Sequence, residues 1–255
     1  MLQENRHYLL HSSFKEIKQS GLAGTPNEFV TMLLNELPET SSLMMPAFTY
    51  SFKKSAPGYE IFDVVNTPSK VGVVAETFRC SHNVIRSCDP THSFCATGAH
   101  KNYFDQFTIT NAPLGKGSIL DKFAQMDNAY VILCGTDFSS FTLLHYIEYL
   151  AELPWLKYNP WEYLGVLAET VSQRGTFVRT EIPGCSKSFT KAEKILVEYI
   201  AVNSIFHNTL RIVTLNVQET ISLLLPLVKS NPRLLLCDKG TCKPCDTRHK
   251  ILDTL

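Results

Sequence analysis

A layered α/β fold is predicted for this chain of 255 residues. Apolar runs of strand length alternate with segments of helical periodicity over most of its length, which is the pattern of α/β proteins. Hydrophobic residues make up 44% of the sequence, enough to bury a sizeable core. The length is long for one domain and short for two, and we expect one domain over residues 1–255.

The charge balance excludes several classes of partner. Lysine and arginine total 24 residues, aspartate and glutamate also total 24, and there is no basic run or nucleic-acid-binding signature. No apolar stretch reaches the roughly 18 residues that a membrane span needs, and the first residues lack the pattern of a signal peptide. We therefore expect a cytoplasmic protein that binds neither nucleic acid nor membranes. Its eight cysteines are then thiols or metal ligands rather than disulfides.

The first elements are a short strand and two helices. A strand is predicted over 7–10 and a helix over 14–20. The next helix begins with a capping box, in which Thr25 is the N-cap, Pro26 lies in the first turn and Glu28 follows three residues after the cap.

The remaining elements follow from apolar periodicity. Helices are expected at 71–80, 120–126, 191–202 and 217–229, and strands at 43–50, 84–86, 94–97, 130–134, 176–180 and 209–215. Residues 155–185 are expected to form an aromatic-rich insertion, and residues 237–255 a cysteine-rich tail.

The stretch from Gly135 to Leu150 follows a predicted strand and combines a turn with a helix. Asp137 or one of the serines after it can cap that helix. His145 and Glu148 are three residues apart, so their side chains share one helical face. A carboxylate can fix the tautomer of a histidine that acts as a base, but a partly buried histidine beside a solvated glutamate is the commoner meaning of this spacing.

Two further groups of polar residues lie in turns after predicted strands. Ser12 and Ser13 precede a helix, where hydroxyl and backbone N–H groups either bind a phosphate or simply cap the helix. The turn from Asp89 to Ser93 contains His92, and it either orients a substrate or is an ordinary solvated turn. The sequence has no GxGxxG, Walker or GxSxG motif, so neither a standard nucleotide site nor a hydrolase serine is supported.

The tail carries candidate metal ligands. Cys237, Cys242, Cys245 and His249 have spacings that a tetrahedral zinc site uses. The tail is therefore either a structural zinc site or a loose segment with reduced thiols. A catalytic metal is not expected, because no histidine cluster with an open position is nearby. Cys95, Cys134 and Cys185 lie in no motif that would make any of them a nucleophile.

Short motifs between residues 10 and 148 resemble the aminoglycoside 3-N-acetyltransferase family, also called the antibiotic N-acetyltransferases. In chain order they are Leu10–Phe14, Leu43–Tyr50, Phe62–Asp63, Thr67–Gly72, Glu76–Arg79, Arg86–Ser87, Asp89–Phe94, Pro113–Gly115, Gly117–Ser118 and Thr142–Glu148. The resemblance implies a three-layer α/β/α fold around a mixed sheet, distinct from the GCN5-type acetyltransferase fold. The family commonly has histidine at the position of Asp89, and the cysteine-rich tail is not part of its pattern.

The resemblance also implies an activity, which is acetyl-CoA-dependent N-acetylation of a small-molecule amine without a covalent acyl-enzyme. His145 would be the general base, Glu148 would hold and polarise it, and His92 would complete the catalytic residues. The implied coenzyme contacts are Ser12, Ser13, Thr67 and Ser69, and the implied substrate contacts are Asp89 and Asp137. A homodimer is also expected.

The acceptor amine is the open part of this prediction. Aminoglycosides carry several positive charges and favour sites rich in carboxylates, whereas this chain is neutral overall. We therefore expect an amino sugar first and an aminoglycoside second, with the aromatic residues around Trp155 and Trp161 either stacking on a sugar or packing in the core. The alternative is a catalytically silent interaction module with a zinc-stabilised tail, which the His145 and Glu148 pair argues against.

Overall fold

The computed structural model describes residues 2–104, 109–199 and 202–255. Its strands are β1 (His7–Ser12), β2 (Ser42–Pro46), β3 (Phe52–Lys54), β4 (Ile85–Arg86), β5 (Phe94–Gly98), β6 (Ala129–Cys134), β7 (Val166–Ser172), β8 (Gly175–Val178), β9 (Asn203–His207) and β10 (Leu210–Asn216). Its α-helices are α1 (Phe14–Gln19), α2 (Pro26–Glu36), α3 (Val73–Arg79), α4 (Ile119–Ala124), α5 (Leu143–Leu150), α6 (Thr190–Tyr199), α7 (Val217–Ser230) and α8 (Lys243–Asp253).

A seven-stranded mixed sheet forms the middle of the fold, in the order β4-β5-β2-β1-β6-β10-β9. Strand β1 pairs in parallel with β2 and β6, and the outer strands join antiparallel. The carboxyl ends of β1, β2 and β6 therefore meet at one edge of the sheet.

Helices cover both faces of this sheet. Leu9 and Val131 belong to one core, which also contains buried side chains of α4, α5, α6 and α7. Tyr8, Leu10 and Ile132 belong to a second core with α1, α2 and α3. Successive residues of a strand point to opposite faces, so β1 and β6 contribute to both cores. The predicted three-layer α/β/α arrangement is confirmed.

The region 155–185 differs from the expected insertion. Strands β7 and β8 form an antiparallel sheet with β3, in which Phe52 is paired with Thr170. Neither β3 nor β7 was among the predicted strands. Strands β7 and β8 of this region therefore belong to a second sheet, whose third strand, β3, follows β2 in the chain.

Most other elements match the predictions at their centres and differ at their ends, whereas β9 was not predicted. The capping box of Thr25 and Glu28 is present at α2. The helix expected over 191–202 is observed as α6, and residues 200–201 of that expectation lie outside the described residues. The tail contains an unpredicted helix, α8, with Pro244 in its first turn. None of the helices in the described ranges has the length and apolar character of a membrane span.

Candidate active site

A cavity of about 710 Å³ opens at the carboxyl ends of the parallel strands. Its wall includes Ser12 at the end of β1, Pro46 at the end of β2, and Ser139 and Thr142 in the segment after β6. Open α/β sheets bind their ligands at this edge, because the loops that leave the strands surround a crevice there. This central cavity is the candidate active site.

His145 lies in the wall of the central cavity on α5. Its Nδ1 atom is 2.9 Å from Oε2 of Glu148, one turn further along the helix. A carboxylate only accepts hydrogen bonds, so Nδ1 carries a proton, and in the neutral ring the lone pair is therefore on Nε2. No other described residue forms a hydrogen bond to Nε2. Phe189 packs edge-on against the ring, with the ring centroids 4.7 Å apart. The imidazole is therefore held in the orientation and tautomer of a general base.

Arg248 is a part of the site that the sequence analysis missed. It comes from α8 and is 4% exposed, and its Nη1 atom is 3.4 Å from Oε1 of Glu148. Glu148 is 1% exposed. One of its carboxylate oxygens contacts His145 and the other contacts Arg248. Backbone packs closely on the guanidinium, since a Cβ atom at Gly184 would be 1.9 Å from its Nη2 atom.

His92 also lines the central cavity. Its Nδ1 atom is 2.9 Å from Oγ1 of Thr91, and that hydroxyl is 3.0 Å from Oδ1 of Asp89. The hydroxyl donates to the carboxylate and so accepts from Nδ1–H of His92. Burial lowers the pKa of His92 to about 3. The positive charge of Arg179 also lowers it, whereas the negative charge of Asp89 raises it. His92 is therefore neutral near pH 7 and presents Nε2 as an acceptor.

Asp89 does not lie in the cavity wall, contrary to its predicted role as a substrate contact. Its Oδ1 atom accepts hydrogen bonds from the backbone N–H groups of Thr91 and His92 and forms an ion pair with Arg179 at 2.9 Å. Burial alone would raise the pKa of Asp89, but Arg179 and these donors hold it below its ordinary value. These contacts hold Oδ1 in the turn that carries His92, whereas Oδ2 is buried without a hydrogen-bond partner among the described residues.

Asp137 is also not a residue of the cavity wall. It is exposed, and its side chain accepts from the N–H of Ser139 as the N-cap of a short 3-10 helix, Phe138–Ser140. Helix α5 begins later, after Thr142, so the predicted capping of α5 by Asp137 is wrong.

Of the four predicted coenzyme contacts, one lies in the wall of the central cavity and three lie outside it. Ser12 lines the central cavity. Ser13 precedes α1, Thr67 accepts a hydrogen bond from the N–H of Asp63, and Ser69 donates its N–H to Glu76. The last two residues stabilise the turn before α3, which explains why they do not reach the cavity.

Three lysines stand in the cavity wall instead, namely Lys54, Lys70 and Lys187. None of the described residues that line the cavity is an aspartate or a glutamate. Lys70 forms an ion pair with Glu60, which is not a wall residue, with 2.7 Å between Nζ and Oε2. The net positive charge of the wall therefore comes mainly from Lys54 and Lys187, and it suits an anionic ligand. Lone lysines have no sequence signature, so only the fold brings these three together.

His11 is a further polar group of the wall. It is 6% exposed, burial lowers its pKa to about 3, and Nε2 has no hydrogen-bond partner among the described residues. A buried ring nitrogen without a partner is costly unless a ligand or water meets it. Because His11 lies in the cavity wall at the end of β1, a ligand in the candidate site can supply the missing hydrogen-bond partner of Nε2.

Glu181 lies within the electrostatic reach of Glu148, Arg248 and Arg179. It is 4% exposed and its Oε2 atom has no hydrogen-bond partner in the described parts of the chain. Burial and, to a smaller extent, the negative charge of Glu148 raise the pKa of Glu181 to about 8, although Arg248 and Arg179 lower it. This carboxyl is therefore protonated near neutral pH.

Residues 155–185 contribute one aromatic side chain to the cavity wall. Trp161 lines the central cavity and donates its indole N–H to the carbonyl of Pro183 at 2.8 Å. Trp155 is buried, with the Arg248 guanidinium 5.6 Å from its ring centroid. The stacking expectation is thus limited to Trp161, and Trp155 packs in the core.

Four thiols form a cluster next to the site. The sulfur atoms of Cys185, Cys237, Cys242 and Cys245 all lie within 4.8 Å of one another. His249 is not in this cluster, contrary to the prediction, because Nε2 contacts the carbonyl of Cys237 and Nδ1 contacts Arg233, each at 2.8 Å. Cys185 takes the fourth position. It follows Gly184 in the cavity wall, so the cluster touches the candidate site.

Comparison with known sequences gives two similarities. Residues 9–220 match the family described as aminoglycoside 3-N-acetyltransferase. The SPbeta prophage-derived aminoglycoside N(3')-acetyltransferase-like protein YokD of Bacillus subtilis (strain 168) is 28% identical over 167 residues, 58% of this chain. This alignment spans 60% of the length of YokD.

Solved structures share the fold. A variant of aminoglycoside acetyltransferase AAC(3)-IVa in complex with gentamicin has a TM-score of 0.82 and 22% identity, covering 98% of this chain and 92% of that one. AAC-IIIb in a binary complex with CoASH has a TM-score of 0.71 and 16% identity, covering 89% of this chain and 91% of that one. At these identities the likeness concerns the fold alone.

Proposed function

The chain belongs to the aminoglycoside 3-N-acetyltransferase family, and we propose that it transfers the acetyl group of acetyl-CoA to a primary amine of an amino sugar or aminoglycoside. The observation that carries this proposal is the buried pair of His145 and Glu148 at 2.9 Å in the wall of a cavity large enough for a small molecule.

The proposed reaction is direct attack. Nε2 of His145 takes a proton from the acceptor amine while the amine nitrogen attacks the carbonyl carbon of the thioester. The tetrahedral adduct then collapses, its C–S bond breaks, and the sulfur leaves as a thiolate that takes up a proton. Glu148 stabilises the imidazolium that forms and keeps Nδ1 protonated throughout. Neutral His92 accepts a hydrogen bond from the amine and orients it.

The coenzyme end of the cavity is proposed from its charge. Phosphate groups of CoA are anionic, and Lys54, Lys70 and Lys187 supply the cations that attract them. Ser12 adds a hydroxyl at the end of β1. A relative of this fold, AAC-IIIb, has been solved with CoASH, which supports acetyl-CoA as the donor here.

The acceptor is proposed to be an amine of low positive charge. The described cavity wall has no carboxylate and three lysines, so a polycationic antibiotic is less well matched than a monoamino sugar. The relative AAC(3)-IVa has been solved with gentamicin, which keeps aminoglycosides as the second class of acceptor. The interaction-module alternative gains no support, since a binding module has no need of an oriented base in a cavity.

Titration calorimetry with acetyl-CoA, followed by thiol release with panels of amino sugars and aminoglycosides, tests this proposal. We expect binding of acetyl-CoA and faster turnover with amino sugars. Faster turnover with aminoglycosides would overturn the acceptor assignment and keep the reaction. Absence of coenzyme binding would overturn the reaction itself and favour the interaction module.

A further inference from the structure

The distances within the cysteine cluster match a metal site. The sulfur atoms of Cys185 and Cys237 are 3.8 Å apart, whereas a disulfide requires about 2.05 Å. A tetrahedron of sulfurs about 2.3 Å from a zinc ion has edges of about 3.8 Å. All four sulfur atoms lie within 4.8 Å of one another, so the space between them can hold one ion.

The surroundings of the cluster are also those of a structural site. Cys185, Cys237 and Cys245 are buried, and the backbone N–H of Lys187 lies 3.4 Å from the Cys185 sulfur, where it can donate to a thiolate. Cys242 and Cys245 form the CxxC pair at the start of α8. Buried thiols bond weakly to one another, so an ion explains their convergence better than packing does.

We infer that Cys185, Cys237, Cys242 and Cys245 bind one zinc ion, which fastens α8 to the wall of the central cavity and holds Arg248 against Glu148. Each ligand thiol gives its proton to solvent as the ion binds. Four protein ligands close the coordination sphere, so the ion is structural and takes no part in acetyl transfer.

The link to the catalytic pair follows from two adjacent contacts. Cys245 and Arg248 are three residues apart on α8 and share one face of it. On the other side of the cluster, Gly184 is next to Cys185 and packs on the Arg248 guanidinium. An ion that joins Cys185 to Cys245 therefore fixes both the helix that supplies Arg248 and the backbone against which it rests. This step rests on the proposed function, whereas the metal site does not.

Metal analysis of the purified full-length chain by plasma mass spectrometry tests the site. We expect about one zinc ion per chain, and less than about a tenth of that after Cys185→Ser or Cys245→Ser. Cys80→Ser, an exposed thiol outside the cluster, and His249→Gln should keep the zinc. Iron in place of zinc, a chain without metal, or equal zinc loss in His249→Gln and Cys185→Ser would each overturn the assignment.

Arg248→Met tests the link even if the cysteine variants fail to fold. We expect full zinc content, kcat at least about tenfold lower and a displaced pH profile of kcat, with Arg248→Lys recovering part of the rate. Removal of zinc by a chelator should lower kcat to a similar extent. A metal-free chain with unchanged kcat and pH profile would refute the link. A zinc-containing chain without transferase activity would refute the proposed function while the metal site stands.

Discussion

Arg248 and Glu148 form a buried ion pair, with 3.4 Å between Nη1 and Oε1, although they are 100 positions apart in the chain. The other oxygen of Glu148 is bonded to His145. The carboxylate that orients the proposed base is thus held from two directions, once within α5 and once from α8. The last helix of the fold is consequently part of the candidate active site.

Replacing His145 with alanine should reduce kcat by about a hundredfold or more, because the proposed base is lost. Binding of acetyl-CoA should change little, which calorimetry can measure on the same protein. His82→Ala is the matched control, since His82 is exposed and does not line the central cavity. Equal rates for the two variants would refute the role of His145.

Glu148→Gln should lower kcat by roughly ten- to a hundredfold, because an amide stabilises the imidazolium less than a carboxylate does. It should also lower the free energy of unfolding by about 3 kcal/mol, since Arg248 is left buried without its counter-charge. Chemical denaturation and steady-state kinetics measure the two effects, with the exposed Glu198→Gln as control.

The double variant His145→Ala/Glu148→Gln should be no slower than His145→Ala alone. Residues that act as one unit show strongly non-additive losses. Multiplicative losses would show that Glu148 acts independently of His145 and would contradict the geometry of the pair.

Lys54→Ala and Lys70→Ala should each weaken acetyl-CoA binding by about tenfold, the effect of losing a hydrogen bond to a charged group. The loss should shrink at high ionic strength, because salt screens exposed charges. Lys15→Ala, on α1 and highly exposed, serves as the control. Unchanged affinity in both cavity variants would place the coenzyme phosphates elsewhere.

Glu181 should make the stability of the protein depend on pH. Its folded-state pKa of about 8 lies above the ordinary value of 4.5, so its stabilising effect is complete below pH 4.5 and is lost as the pH rises to about 8. Glu181→Gln should therefore stabilise the fold at pH 8 by on the order of 3 kcal/mol relative to its effect at pH 4.5. Thermal unfolding of both proteins across this range measures the difference, and a constant offset would refute the neutral carboxyl.

Local features were predictable because they depend on short spacings. The capping box at Thr25 and the shared face of His145 and Glu148 follow from helix geometry, and both are present. The family resemblance and the three-layer fold are confirmed as well. The homodimer and the cytoplasmic location stay predictions.

The missed features arise from tertiary placement. Cys185 joins a cluster whose nearest other member in sequence, Cys237, is 52 positions away, and no spacing rule covers that distance. Glu181 and Arg248 likewise gain their roles only when the chain folds around them. Helix α8 did carry a signal, since Pro244 favours a first helical turn. Asp89 and Asp137 make local hydrogen bonds that the sequence does not reveal and lie outside the cavity wall, and their substrate roles stay predictions.

Six consecutive residues of α5, from Leu143 to Glu148, are buried. A helix enclosed on this many sides leaves the imidazole of His145 little freedom to rotate or to solvate. A mobile base would have to reorient in every turnover, whereas folding already fixes the orientation of the His145 ring. Preorganisation of the proposed base is thus a property of the core. A substitution that leaves a cavity beneath α5 should therefore lower kcat without changing a polar residue.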